Sequence, residues 1–480
     1  MTKIICIFLL LICSSAFAQQ RPLTDKAVSK LVENYNQRDW PAMYNQYAES
    51  SKTMITPEFN LDFYKVKLGE PLGKIKTWKY VDEVKANANY VITFEHGRLE
   101  LKIAVNNTAQ ITYFEWRPLK PQKEIANPKN AALIKTNNPK QTKLQLYADS
   151  LALDYLKDPN NSSLSLGIVT EGITETIFYG ETERGNGSLP DSHSLYEIGS
   201  LTKTFVATLL AHAVNEKKIS LNDDIRKYLP GSYPNLQYNG LPIKVLNLAN
   251  HTSSLPRLPG NFTKVGGYNP ANPYLHYSKE MIFDYLKTFK PDTLAGTRME
   301  YSNFGYAVLG LILENVYHQP LEELLKQTIT VPLKMSSTSL VVPEAGKKVL
   351  VSGYSDIDGK YLQSWDMGAF RAAGGLKSNM QDLLIYLKTN LNSLNPDFAL
   401  TRKETDKQAE ISTGLAWMIQ PFRGTTCIWH NGAVGGFTSF CGFVKDRKTG
   451  VVVLSNSSAS VDEIALELLS FAIQNPVKTK

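Results

Sequence analysis

The run Tyr196-Glu-Ile-Gly-Ser-Leu-Thr-Lys-Thr-Phe205 constrains this chain most. A strand-like stretch ends at Gly199, and an apolar helical run from Phe205 to Val214 starts just after it. Ser200 therefore stands at or near a helix N-terminus, where free N–H groups and the helix dipole favour an anion. Residues three apart share a helix face, so Lys203 is expected beside the Ser200 hydroxyl. A serine hydroxyl becomes a useful nucleophile only when a neighbouring base takes its proton. A lysine serves once burial or cationic neighbours lower its pKa. Ser-x-x-Lys alone is a short motif, equally compatible with a serine N-cap and a solvated lysine. Its placement between Gly199 and an apolar helix favours the chemical reading.

The N-terminal residues read as a targeting segment. Lys3 is followed by an apolar run from Ile4 to Cys13 and by Ala16-Phe17-Ala18 before Gln19. This is the pattern of a cleaved signal over residues 1–18, so a secreted or periplasmic chain is expected. Ile12 precedes Cys13 where a lipoprotein signal needs a small residue. No later run is long and apolar enough to span a bilayer. The net charge of +7 over 480 residues is mild and gives no ground for expecting a nucleic-acid partner. Cys427 and Cys441 flank an expected hairpin, either as a disulfide or as two buried thiols. The seven histidines form no H-x-x-x-H or H-E-x-x-H, so no metal is expected.

Three regions follow the signal. Residues 20–117 begin with amphipathic helices over 25–47, broken near Pro41, and 57–68. They continue with strands at 75–81, 90–94, 99–104 and 110–116. Helices followed by a meander imply a small α+β unit. Its pattern resembles the nuclear-transport-factor-like cone domains attached to secreted hydrolases, which implies an accessory binding or spacer role. Residues 118–143 carry six lysines and four prolines against Glu124 alone, and read as an extended linker. Residues 144–476 are one large mixed unit. It opens with a helix over 144–157 and a hairpin over 165–179, and ends with strands at 426–430, 438–444 and 451–455 before a helix over 461–473.

Further motifs follow the serine in order: His251-Thr-Ser-Ser-Leu-Pro256, Glu300-Tyr-Ser-Asn-Phe-Gly-Tyr-Ala-Val-Leu-Gly310, Ala372-Ala-Gly-Gly-Leu376 and His430-Asn-Gly-Ala-Val-Gly-Gly-Phe-Thr-Ser-Phe440. With Gly199–Lys203 they resemble the penicillin-recognising superfamily of class C β-lactamases, D,D-peptidases and serine esterases. The resemblance implies a β-lactamase/transpeptidase-like fold, an antiparallel sheet flanked by helices with an all-helical part, and an acyl-enzyme on Ser200. It also implies no cofactor, and a small-molecule or peptide acyl substrate.

In that family a tyrosine at the place of Tyr301 faces the nucleophile and shares proton transfer, and the amide of Asn303 positions lysine and substrate. A phenol beside a cation should have a lowered pKa and could act as base. Either Lys203 or Tyr301 could be the base. A second Tyr-x-Asn, Tyr233 to Asn235, lies in a Pro/Gly-rich loop and reads as a turn. His430-Asn431-Gly432 fits the family's third box, where Gly432 admits close backbone approach. The literal Lys448-Thr449-Gly450 reads as a solvent hairpin turn instead. By resemblance the Ala433 and Ser200 N–H groups form the oxyanion hole.

A lysine in the third box would hold a fixed charge toward a substrate carboxylate, whereas histidine is largely neutral at pH 7. An ester or a D-amino-acid amide is therefore expected ahead of a β-lactam or D,D-carboxypeptidase substrate. His430 could also be a packed strand residue, and the chain a non-catalytic ligand-binding protein on the same scaffold. His251 reads as a turn residue, Gly374 and Gly375 as a tight turn, and Trp429 and Phe437 as cleft walls or core.

Overall fold

The computed structural model describes residues 20–52, 55–84, 87–118, 128–408 and 411–475. The expected signal over 1–18 lies outside them, as does part of the expected linker. The chain divides into two compact units, Met1–Ala126 and Asn127–Lys480.

The first unit is a four-stranded antiparallel sheet, β1 (Ile75–Val84), β2 (Asn87–Phe94), β3 (Arg98–Val105) and β4 (Ile111–Pro118), paired in chain order. Helix α1 (Gln20–Gln37) buries Ala27, Val28, Leu31 and Tyr35 in its core, the face its helical spacing sets. The break falls at Arg38, which has φ 60°; Pro41 sits in the first turn of the next helix, where it needs no hydrogen bond. This α+β arrangement agrees with the reading of helices first and strands second.

The second unit is built on an eight-stranded antiparallel sheet. Its strands are β5 (Ser163–Thr170), β6 (Ile173–Gly180), β7 (Asp406–Gln408), β8 (Ile411–Thr413), β9 (Met418–Phe422), β10 (Thr425–Val434), β11 (Phe437–Val444) and β12 (Thr449–Ser455). Their spatial order is β7-β8-β9-β10-β11-β12-β5-β6, so β12 pairs with β5 and joins the two ends of the unit. Helices α2 (Lys143–Leu156) and α6 (Asp462–Gln474) cover one face. Helix α5 (Met380–Asn392) covers the other, where it meets the helical part inserted between β6 and β7. Because both faces are covered, β5 is buried at every residue.

At the centre of the helical part are α3 (Thr202–Asn215) and α4 (Asn303–Tyr317). Thr202–Ala211 of α3 is buried without interruption, so this stretch of the helix has no solvent face.

Residues 128–142 differ from the expected spacer. Ile134 packs into the core under α2, Thr136 bridges to Tyr179, and Asn138 donates to the Tyr179 hydroxyl at 2.6 Å. Lysine and proline content hid this, because the anchoring is done by the few residues between them.

Cys427 and Cys441 are free and buried. In the β10–β11 register Cys441 stands opposite His430, three residues from Cys427. An odd offset sends the two side chains to opposite sheet faces, and they fall in different cores. The disulfide alternative is excluded.

Candidate active site

A 3-10 turn, Gly199–Leu201, carries Ser200 into the start of α3. Gly199 has φ 50°, and a Cβ there would lie 2.7 Å from the Ala433 nitrogen. A Cβ on Gly432 would overlap the Ile198 carbonyl oxygen. The Ser439 hydroxyl donates to that same oxygen at 2.8 Å. Two glycines thus let β10 close on the turn bearing Ser200, and bring the Ala433 backbone to it.

Lys203 is completely buried. Its Nζ lies 3.0 Å from the Ser200 Oγ, 2.8 Å from Asn303 Oδ1 and 2.6 Å from the Ala373 carbonyl oxygen. The last two can only accept. A neutral amine has two N–H groups for them and one lone pair left for the Ser200 hydroxyl. Burial, with a smaller contribution from Arg257, holds the Lys203 pKa well below the usual lysine value. Such a lysine can take the hydroxyl proton.

Asn303 is oriented in turn, its Nδ2 donating to the Tyr274 hydroxyl at 3.1 Å. The cap of α4 fixes the neighbouring backbone. Ser302 Oγ accepts from the Gly305 N–H at 2.8 Å and donates to the Pro256 carbonyl at 2.7 Å. The Ser302 N–H donates to His251 Nδ1 at 3.1 Å, and the His251 ring centroid is 4.3 Å from that of Tyr301. The Tyr301 ring also has Lys203 Nζ 4.8 Å and Arg257 Cζ 5.1 Å from its centroid.

Residues 149–472 match the family described as Beta-lactamase. The chain belongs to the Beta-lactamase family. It is 27% identical over 314 residues to the D-alanyl-D-alanine-carboxypeptidase/endopeptidase AmpH of Escherichia coli K12, covering 60% of this chain and 80% of that protein. A Beta-lactamase of Lysobacter lactamgenus is 24% identical over 336 residues, covering 62% and 83%. Among solved structures, a class C beta lactamase is 25% identical with TM-score 0.61, covering 68% of this chain and 98% of its own. The Beta-Lactamase/D-Alanine Carboxypeptidase from Pseudomonas syringae, at 23% identity and TM-score 0.61, shares the fold over 70% of this chain and 100% of its own. The second unit is a serine hydrolase.

One expectation about this site is reversed. The Tyr301 pKa is raised, not lowered. Burial disfavours the phenolate by more than the Ser200 hydroxyl and Arg257 favour it. Spacing showed a cation nearby but could not show how little water reaches the ring.

His430 lies inside β10 and is 1% exposed. Its Nδ1 lies 2.6 Å from the Asn431 carbonyl, so Nδ1 carries the proton. Burial and Lys203 push its pKa down to about 3. The ring is uncharged and packed 6.1 Å from Tyr301. His251 is likewise buried and neutral, its pKa lowered first by burial and then by Lys203.

Other motif residues settle as structure. Tyr233 donates to the Pro230 carbonyl, and Asn235 Nδ2 caps Leu286 and Phe289. Lys448 occupies a left-handed turn position, although Thr449 and Gly450 already belong to β12. Trp429 stacks on Phe440 at 5.6 Å, and Phe437 is buried against Tyr196. Gly375 has φ −87°, so the pair Gly374-Gly375 answers to close packing rather than to a left-handed turn. The sequence reading missed Ala373, whose contribution is a backbone oxygen. It also missed Tyr274, which no motif marks, and Arg257, one residue beyond the His251–Pro256 motif.

Proposed function

We propose that this chain is a secreted or periplasmic hydrolase that cleaves an ester or a D-amino-acid amide or peptide through an acyl-enzyme on Ser200. The observation that carries the reading is the set of three contacts on Lys203 Nζ, two with obligate acceptors and one with Ser200. Neutral Lys203 accepts the Ser200 proton as Oγ adds to the substrate carbonyl. The Ser200 and Ala433 N–H groups hold the oxyanion. Asn303 keeps the lysine aimed. Tyr301 works as a protonated phenol that gives its proton to the leaving group and takes back the Ser200 proton from Lys203; it then orients the water, whose proton passes through Lys203 to the Ser200 oxygen as the acyl group is released. The signal pattern at residues 1–18 supports export. The first unit is read as an accessory domain of the nuclear-transport-factor type, on its helices-then-meander order.

A β-lactamase or D,D-carboxypeptidase reading is favoured by the names of the relatives. The uncharged His430 argues against a carboxylate anchor at that position.

Intact-mass analysis after fluorophosphonate treatment tests the mechanism. One adduct on the wild type and none on Ser200→Ala is expected. An adduct on both would move the nucleophile elsewhere, and none on either would favour a ligand-binding protein. Turnover of a p-nitrophenyl ester, a D-alanyl amide and nitrocefin then ranks the substrates, and fast nitrocefin hydrolysis would reverse the ranking above.

A further inference from the structure

His430 leaves the third box without a charge, yet the site is not without a cation. Arg257 is exposed, and its guanidinium carbon stands 5.1 Å from the Tyr301 ring centroid. Its backbone is held to the same short segment as the catalytic tyrosine. The Arg257 carbonyl accepts from the Phe304 N–H at 3.1 Å, and the preceding Pro256 carbonyl accepts from Ser302 Oγ. The Arg257 backbone is therefore fixed beside the start of α4. Nearby, Arg298 pairs with Asp292 and Glu300. Among the described residues Arg257 has no such acidic partner.

The surroundings sharpen the point. The Arg257 charge is felt at Lys203, Tyr301 and His251. With Lys203, His251 and His430 buried, the one guanidinium exposed over the Tyr301 ring is complementary to an anion. A guanidinium presents a planar fork that matches a carboxylate with two parallel N–H donors. The Tyr301 face also orients it, because a cation over an aromatic ring is attracted to that face.

We infer that Arg257 is a specificity-determining residue that binds a carboxylate of the acyl substrate. This rests on the Ser200 acyl-enzyme reading and narrows its substrate class to esters, amides or peptides bearing a carboxylate near the scissile bond. The charge enters from the loop beside Tyr301 rather than from strand β10.

The test uses two matched pairs on the full chain. Acetyl-D-alanyl-D-alanine against its C-terminal amide places the carboxylate on the leaving group. p-Nitrophenyl hemisuccinate against p-nitrophenyl butyrate places it on the acyl group. In at least one pair the wild type should prefer the carboxylate form in kcat/KM. Arg257→Gln should reduce that preference roughly 10- to 100-fold, mainly through KM. Arg257→Lys should restore part of it, because the charge returns without the fork. No preference in either pair, or a preference that survives in Arg257→Gln, would overturn the inference. Ser200→Ala is run alongside. Turnover that persists there would sink the acyl-enzyme reading itself, whereas Ser200-dependent turnover without an Arg257-dependent preference sinks only this inference. If the wild type turns over none of the four, both fall.

Discussion

Charge is scarce and costly around Ser200, and each titratable group there resolves the cost in its own way. Lys203, His251 and His430 are buried, and burial lowers the pKa of each, disfavouring its charged form. Glu197, three residues before Ser200, shows the same effect from the acid side. It is 3% exposed, contacts the Ser364 hydroxyl and lies 3.9 Å from Lys377. Burial outweighs Lys377 and pushes its pKa up to about 7 from an ordinary 4.5. The native state therefore holds a proton that the unfolded chain releases between those values. Stability from this group is complete below about pH 4.5, falls as pH rises, and is lost above about 7, for a total of roughly 3 kcal/mol. His430 runs the opposite way, since its folded pKa is near 3: its contribution is lost as pH falls from 6.5 toward 3. Denaturant titrations of wild type and Glu197→Gln between pH 5 and 7.5 separate the two. The variant should gain on the wild type as pH rises, and a difference that stays level across the range would mean that Glu197 is not protonated in the native protein.

At the scale of elements, the site is a seam between a strand and a helix start. Strand β10 approaches the Ser200 turn only because Gly432 lacks a side chain. Gly432→Ala removes no functional atom, yet its methyl must displace Ile198 or the strand. We expect a loss of about 1–3 kcal/mol in denaturant unfolding and a fall in fluorophosphonate labelling of Ser200. Normal labelling at reduced stability would show that the strand yields instead of the turn. The motifs made much of this seam legible beforehand. Ser200 and Lys203 were readable from helical spacing, and the α4 start from Ser302-Asn303 ahead of an apolar run. Hidden were contributions that side-chain chemistry does not mark, one of them inside the Ala372–Leu376 motif. Ala373 acts through a carbonyl, Tyr274 lies 29 residues before the Asn303 it orients, and β10 runs on past His430 to Val434.

Taken whole, the molecule has two cores of its own in the second unit and one in the first. The sheet that separates the two cores also separates the thiols of Cys427 and Cys441, whose pKa values burial pushes up. Both should react with a thiol probe only after denaturation, and should do so without a reductant. A non-reduced mass two hydrogens short would instead demonstrate a disulfide. Alternation and order of strands made the antiparallel unit legible in advance, and the five motifs named its family. Residues 128–142 were misread as spacer because composition counts lysines and prolines but not the few side chains that anchor them. By itself the sequence determined which residues could react, since spacing along a helix and glycine at close approaches are local properties. Only the tertiary structure decided their protonation, because that depends on how much water and which charges remain around each group. Burial lowered the Lys203 pKa and raised that of Tyr301, and it left Arg257 as the exposed charge at the mouth of the site.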